Sequence, residues 1–70
     1  MVVLLRIEIL LKRIREEKRI SLEELASKTG ISKSHLSYIE RNEKEPTISM
    51  LCRIAIALNV DEKELYKVYK

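Results

Sequence analysis

The sequence predicts an all-α fold of five short helices. Three observations carry that prediction. Apolar residues recur at helical spacing through most of the chain. Residues that cap helices, namely Ser21, Ser32, Thr47 and Asp61, stand ahead of four of those stretches. One Gly and one Pro among 70 residues leave little room for hairpins. With neither Phe nor Trp present, Leu, Ile and Val must build the core. The length fits one domain over residues 1–70. A domain of about 60 residues buries only about 60% of its unfolded surface, so its core must be efficient or a partner must add to it.

The first helix is expected over about 6 to 18. Ile7, Leu10, Leu11 and Ile14 form its apolar stripe, and Lys12, Arg13, Glu16 and Glu17 fill the other face. Val2, Val3 and Ile9 are surplus to that stripe. They fit an extra helical turn, or else a strand arm or helix edge at an interface. Ser21 opens the second helix, and Glu24 stands at capping-box spacing. Leu25 and Ala26 face the core. Gly30 closes the helix in a left-handed conformation that a side chain would penalise. Ile31 plugs the turn and Ser32 caps the third helix, which turns Leu36 and Ile39 inward. Asn42 ends it. Thr47 caps a fourth helix running to about Leu58, with Ile48, Leu51, Ile54, Ala55 and Leu58 inward. Cys52 and Ile56 lie on a different line, either a wide core face or an interface edge. Asn59 stops that helix and Val60 packs back. Asp61 and Glu64 repeat the capping-box spacing before a last helix over about 62 to 68, with Leu65 and Tyr69 buried.

The formal charge is +3, from 14 Lys plus Arg against 11 Asp plus Glu, which permits a nucleic-acid partner without requiring one. A single Cys excludes an internal disulfide framework and favours a reduced, cytoplasmic setting. No apolar stretch is long enough to cross a membrane. Enzyme readings find no support. There is no Ser-His-Asp order, no glycine-rich phosphate loop and no metal cluster, and the adjacent pairs Glu16–Glu17 and Glu23–Glu24 converge on nothing. His35 is the only histidine. It suits partial burial or a phosphate contact better than a metal. No cofactor is expected.

The segment 21–42 reads as a helix, a tight turn and a second helix, the pattern of a DNA-binding module. Around it stand Leu11, Ile14-Arg15, Ser21, Glu24-Leu25-Ala26, Gly30-Ile31-Ser32, Leu36-Ser37, Ile39-Glu40, Pro46, Leu51, Ile54-Ala55, Leu58 and Val60. Together these resemble the lambda-repressor-like, Cro/C1-type (XRE) helix-turn-helix family over about residues 7 to 66. The run from Lys33 to Asn42 is similar to the DNA-binding domains of bacterial biofilm and sporulation repressors in that family.

The resemblance implies a transcriptional regulator whose third helix enters the major groove of double-stranded DNA. The family's base-reading positions fall on Lys33, Ser34, Ser37 and Tyr38. Its arginine–glutamate tie between the first and third helices falls on Arg15 and Glu40. A phosphate-contacting glutamine of the family is replaced here by Leu22, which leaves Ser21, Lys28, His35, Arg41 and Lys44 as candidates for the phosphates. Arg41 and Lys44 also fit a solvated charge run. The family implies a repressor acting as a homodimer on an inverted repeat. Candidate dimer surfaces are residues 2–5 with Ile9, the Cys52–Ile56 edge, and the last helix with Tyr66 and Tyr69. The competing class is a protein-interaction module, either an antagonist of another repressor or an antitoxin that binds a toxin.

Overall fold

Alternation, not helical spacing, governs the two ends of the chain in the computed structural model, which describes residues 5–69. Arg-Ile-Glu-Ile forms strand β1 (Arg6–Ile9), and Tyr-Lys-Val-Tyr forms strand β2 (Tyr66–Tyr69). They pair antiparallel, with Ile7 opposite Val68 and Ile9 opposite Tyr66. One face of this ribbon is therefore apolar. The other carries Arg6, Glu8, Lys67 and Tyr69, where the Tyr69 hydroxyl donates to Glu8 Oε1 at 2.9 Å and the Arg6 guanidinium lies 4.6 Å from the Tyr69 ring centre.

Between the strands run α1 (Leu11–Glu17), α2 (Leu22–Thr29), α3 (Lys33–Glu40), α4 (Ile48–Leu58) and a 3-10 turn (Glu62–Leu65). The five-helix, all-α expectation is corrected accordingly. Four α-helices remain, β1 replaces the start of the first predicted helix, and the 3-10 turn with β2 replaces the last. The reason is pairing. Residues 6–9 and 66–69 pair part of their backbone groups with one another, and Ile9 N–H goes to the Asn42 side chain, which a free helical turn would leave to water. Ile7 consequently leaves the predicted stripe and stands 38% exposed, and Tyr69 is 39% exposed rather than buried. The expected interface residues 2–4 fall outside the described residues.

Most stop and start signals act where expected. The side chains of Ser21, Ser32 and Thr47 accept from the backbone N–H three residues on, at 3.0–3.1 Å. Gly30, Asn42 and Asn59 sit at φ 74°, 61° and 56°, so all three adopt the left-handed conformation expected of helix ends. Asp61 and Glu64 complete a reciprocal capping box. At Ser21 only half of the box forms, because the Glu24 carboxylate turns to Lys28 instead, at 3.4 Å. Arg19, at φ 57°, ends α1 without a sequence signal that marked it.

The core gathers Leu11, Leu25, Ile31, Leu36, Ile39, Ile54, Ala55, Leu58 and Leu65. Each fully buried Leu or Ile contributes about 1.5–3 kcal/mol. Ile48 was expected inward but is 77% exposed. The inward face of α4 centres on Ile54, Ala55 and Leu58, and Ile48 begins a separate line with Cys52 and Ile56, four residues apart along the helix. No helix among the described residues is long and apolar enough to cross a membrane.

Candidate nucleic-acid interface

The turn between α2 and α3 is set by a short chain of contacts. Thr29 is buried. Its hydroxyl donates to the Leu25 carbonyl at 2.8 Å and accepts from Ile31 N–H at 3.2 Å. Arg53 Nη1 donates to the Thr29 carbonyl at 3.0 Å, so α4 holds the end of α2. Ile31 is 5% exposed and fills the space under the turn. These contacts tie the start of α3 to the end of α2 and to α4.

That helix has eight residues, too few to persist alone in water. Its inward residues, Leu36 and Ile39, are 0% exposed. Its far end is tied by an ion pair. Arg15 Nε donates to Glu40 Oε2 at 2.7 Å, and Nη2 lies 3.4 Å from Oε1, so the guanidinium fork meets both carboxylate oxygens. Arg15 Nη1 also donates to the Ile20 carbonyl at 2.8 Å. Only 12% and 6% of the Arg15 and Glu40 side chains are exposed, and the hydrogen bond to Glu40 pushes the Arg15 pKa further up, keeping it charged. Asn42, just past α3, accepts Ile9 N–H on its Oδ1 at 2.9 Å, which joins the ribbon to the same helix end.

What α3 turns outward is polar. Lys33, Ser34, Ser37, Tyr38 and Arg41 line one shallow depression of about 170 Å³. Arg41 Nη1 donates to Ser37 Oγ at 2.6 Å, and its Nε pairs with Glu43, a hydrogen bond that raises the arginine's pKa. The Tyr38 ring has Arg41 and Lys44 at 5.0 and 5.2 Å from its centre, a doubly cation-flanked aromatic. Ser21, Lys28 and His35 do not line this depression. The Ser21 hydroxyl is occupied as a cap, Lys28 pairs with Glu24, and His35 is half-buried on the flank of α3. Leu22, where a polar side chain was expected from the family pattern, is half-buried and packs against the core.

Sequence reasoning passed over Glu23. It stands in the first turn of α2, yet its Oε1 meets Lys33 Nζ at 2.8 Å across the turn. The lysine holds the Glu23 carboxyl below the usual carboxylate range. A pair of carboxylates that seemed to converge on nothing therefore splits, Glu24 serving its own helix and Glu23 reaching the start of α3. Among the described residues no group of His, Cys, Asp or Glu is placed to hold a metal ion.

Comparison with known proteins agrees with this geometry. A family model described as helix-turn-helix matches residues 11–65. The HTH-type transcriptional regulator SutR of Escherichia coli (strain K12) is 50% identical over 50 residues, covering 71% of this chain and 28% of SutR. The HTH-type transcriptional regulator SinR of Bacillus subtilis (strain 168) is 47% identical over 51 residues, covering 71% of this chain and 46% of SinR. The chain thus spans less than half the length of either curated relative. Among solved structures, SinR in complex with DNA, described as the master regulator for biofilm formation, superposes with a TM-score of 0.71 at 44% identity over 76% of this chain and 86% of that one. The SinR–SinI complex gives a TM-score of 0.72 at 44% identity over 77% of this chain and 53% of that one.

Proposed function

Because the chain belongs to the helix-turn-helix family matched over residues 11–65, we propose that it is a sequence-specific double-stranded DNA-binding transcriptional regulator. In this reading it is a repressor that acts as a homodimer on an inverted repeat. The observation that carries it is the division of α3 into a fully buried inner face and an outer face that gathers Lys33, Ser34, Ser37 and Tyr38 beside Arg41. A marginal helix clamped at both ends and polar outside is built to be presented. The major groove accepts such a helix, and each base pair shows it a distinct pattern of donors and acceptors.

In that pose Lys33 donates to guanine O6 or N7, and Ser34 and Ser37 exchange hydrogen bonds with base edges. Tyr38 lies against a thymine methyl or a sugar. Arg41 and Lys44 take the phosphates beyond the helix end. Ser21, Lys28 and His35 serve the phosphates nearer the turn, with the α2 N-terminus adding its exposed N–H groups. Arg15 and Glu40 position the helix. The solved SinR–DNA complex supports this mode through its likeness to the present chain.

The homodimer reading rests on an apolar surface beside the probe helix. A groove of about 320 Å³ is lined mainly by Ile7, Ile9, Pro46, Ile48, Leu51 and Tyr66, with Asn42, Lys44 and Glu45 on its polar side. Ile48 and Ile56 project on α4, 77% and 80% exposed. Apart from Lys44, which lines it, the surface holds none of the residues assigned to DNA, so a second copy seated on it leaves the outward depression of α3 free. Two-fold pairing would set two probe helices on half-sites about 34–36 Å apart. The structure of SinR with SinI favours one second reading, in which the same surface takes a different protein and the chain acts as an antagonist or antitoxin.

Random-site selection with purified protein at two salt concentrations tests the main reading. A symmetric motif is expected, with binding that weakens steeply as salt rises. Replacing Lys33 with Ala is expected to cost about 1–3 kcal/mol of binding and to relax one position in each half-site. No enrichment together with no low-salt binding defeats the proposal. For the dimer, Ile48→Asp is expected to shift the sedimenting species to a monomer while helicity is kept. A wild type that stays monomeric at all concentrations defeats that part alone.

A further inference from the structure

The link between Glu23 and Lys33 is the feature of the outward surface that the reading above leaves unused. It joins the first turn of α2 to the first residue of α3 at 2.8 Å, with 69% of the glutamate and 60% of the lysine side chain exposed. A lysine ammonium is a compact point charge on a flexible stem with three N–H donors. Left free, it satisfies itself on whichever phosphate lies nearest, and phosphates carry no sequence information. Here one donor is committed to Glu23, and two remain. Guanine offers two acceptors in the major groove, O6 and N7.

We propose that Glu23 is a specificity-determining positioning residue: it holds the Lys33 ammonium at the start of α3, so that the lysine reads a base edge instead of wandering to the DNA backbone. The inference rests on the DNA-binding reading and adds a role for a residue outside the probe helix. Two further observations support it. Glu24, one position on, is paired within its own helix to Lys28, so the two neighbouring carboxylates have separate partners. Leu22 is turned into the core, so no polar side chain from that position competes for the lysine. A phosphate that approaches Lys33 also approaches the Glu23 carboxylate, which repels it, whereas a neutral base edge meets no such repulsion. To contact a base edge with its two remaining donors, Lys33 keeps the pair. The carboxylate therefore opposes indiscriminate binding and favours selective binding.

Glu23→Ala and Glu24→Ala remove the same charge from the same helical turn, and only the first releases Lys33. Each variant is titrated with the duplex that wild-type protein selects and with a scrambled duplex of equal length, and thermal melts confirm folding. Glu23→Ala is expected to tighten binding to the scrambled duplex by about twofold to fivefold, the range of one exposed ion pair, while binding to the selected duplex weakens. Its salt dependence on the scrambled duplex should steepen by about 0.9 in the log–log slope, one extra phosphate neutralised. Repeating the selection with Glu23→Ala should erase a guanine preference at one position per half-site, and Glu23→Gln, which still accepts from Lys33, should restore part of it. Glu24→Ala should move both duplexes together and keep the motif. If Glu23→Ala behaves as Glu24→Ala does, the assignment of Glu23 falls and the DNA-binding reading stands. If wild-type protein binds no duplex, both fall.

Discussion

The helix-turn-helix segment and the terminal ribbon are built from the same kinds of apolar residue and treat them in opposite ways. Leu25, Leu36 and Ile39 are 0% exposed, whereas Ile7 and Val68 are 38% and 48% exposed. The helices α2 and α3 meet several neighbours at once, so their apolar stripes find partners. The ribbon has two strands and one sheltered end, where Ile9 packs on the core and Asn42 Oδ1 takes its N–H. A two-stranded ribbon alone is marginal in water. The contrast separates two tasks. One region holds a probe helix in a single pose, and the other offers apolar surface not yet committed within the chain.

Substitutions that lie on either side of this contrast should differ most. Leu36→Ala is expected to cost about 3–5 kcal/mol in urea unfolding, through lost transfer energy and the cavity left behind. Val68→Ala in the ribbon should stay within about 0.5 kcal/mol, and comparable losses at both sites would break the comparison. Next in size is the clamp on α3. Arg15→Ala leaves the nearly buried Glu40 without its partner and is expected to cost about 3 kcal/mol. The double change Arg15→Met with Glu40→Leu should recover most of that loss, since the pair's net worth is small and its role is orientation. A double variant as unstable as the single one would mean that the pair also carries stability. A smaller loss than at the clamp belongs to the turn. Gly30→Ala is expected to cost about 1–2 kcal/mol, because an L-residue resists φ +74°. The added carbon would meet only Arg53 Nη1 at 3.7 Å, an ordinary contact, so the cost should be conformational and should leave the unfolding slope unchanged.

In the candidate site, the family resemblance pointed to positions 33, 34, 37 and 38 and to the Arg15–Glu40 pair, and helical period separates those positions from the core. Positions 33, 34, 37 and 38 share a face because of the α-helical repeat, and Leu36 and Ile39 share the opposite one. Glu23 was not legible, because ten residues and a turn separate it from Lys33 and only the angle between α2 and α3 brings them together. The stripe from Ile7 to Ile14 was legible in two ways. Short apolar runs fit a helix or a strand, and Ile7 serves both, joining Leu10, Leu11 and Ile14 at helical spacing and Ile9 at strand spacing.

The sequence by itself determined the elements whose causes lie within about four residues. Serine and threonine caps, left-handed Gly30, Asn42 and Asn59, and the buried faces of α2 and α3 are all of that kind. Tertiary structure decided what depends on distant partners. Residues 6–9 became a strand because residues 66–69 arrive beside them, and the core took Ile54, Ala55 and Leu58 of α4 while Ile48 stayed outside it. Local hydrogen bonds are set by neighbours in the chain, whereas pairing across sixty positions and the division of a limited core are settled only when the whole chain has folded.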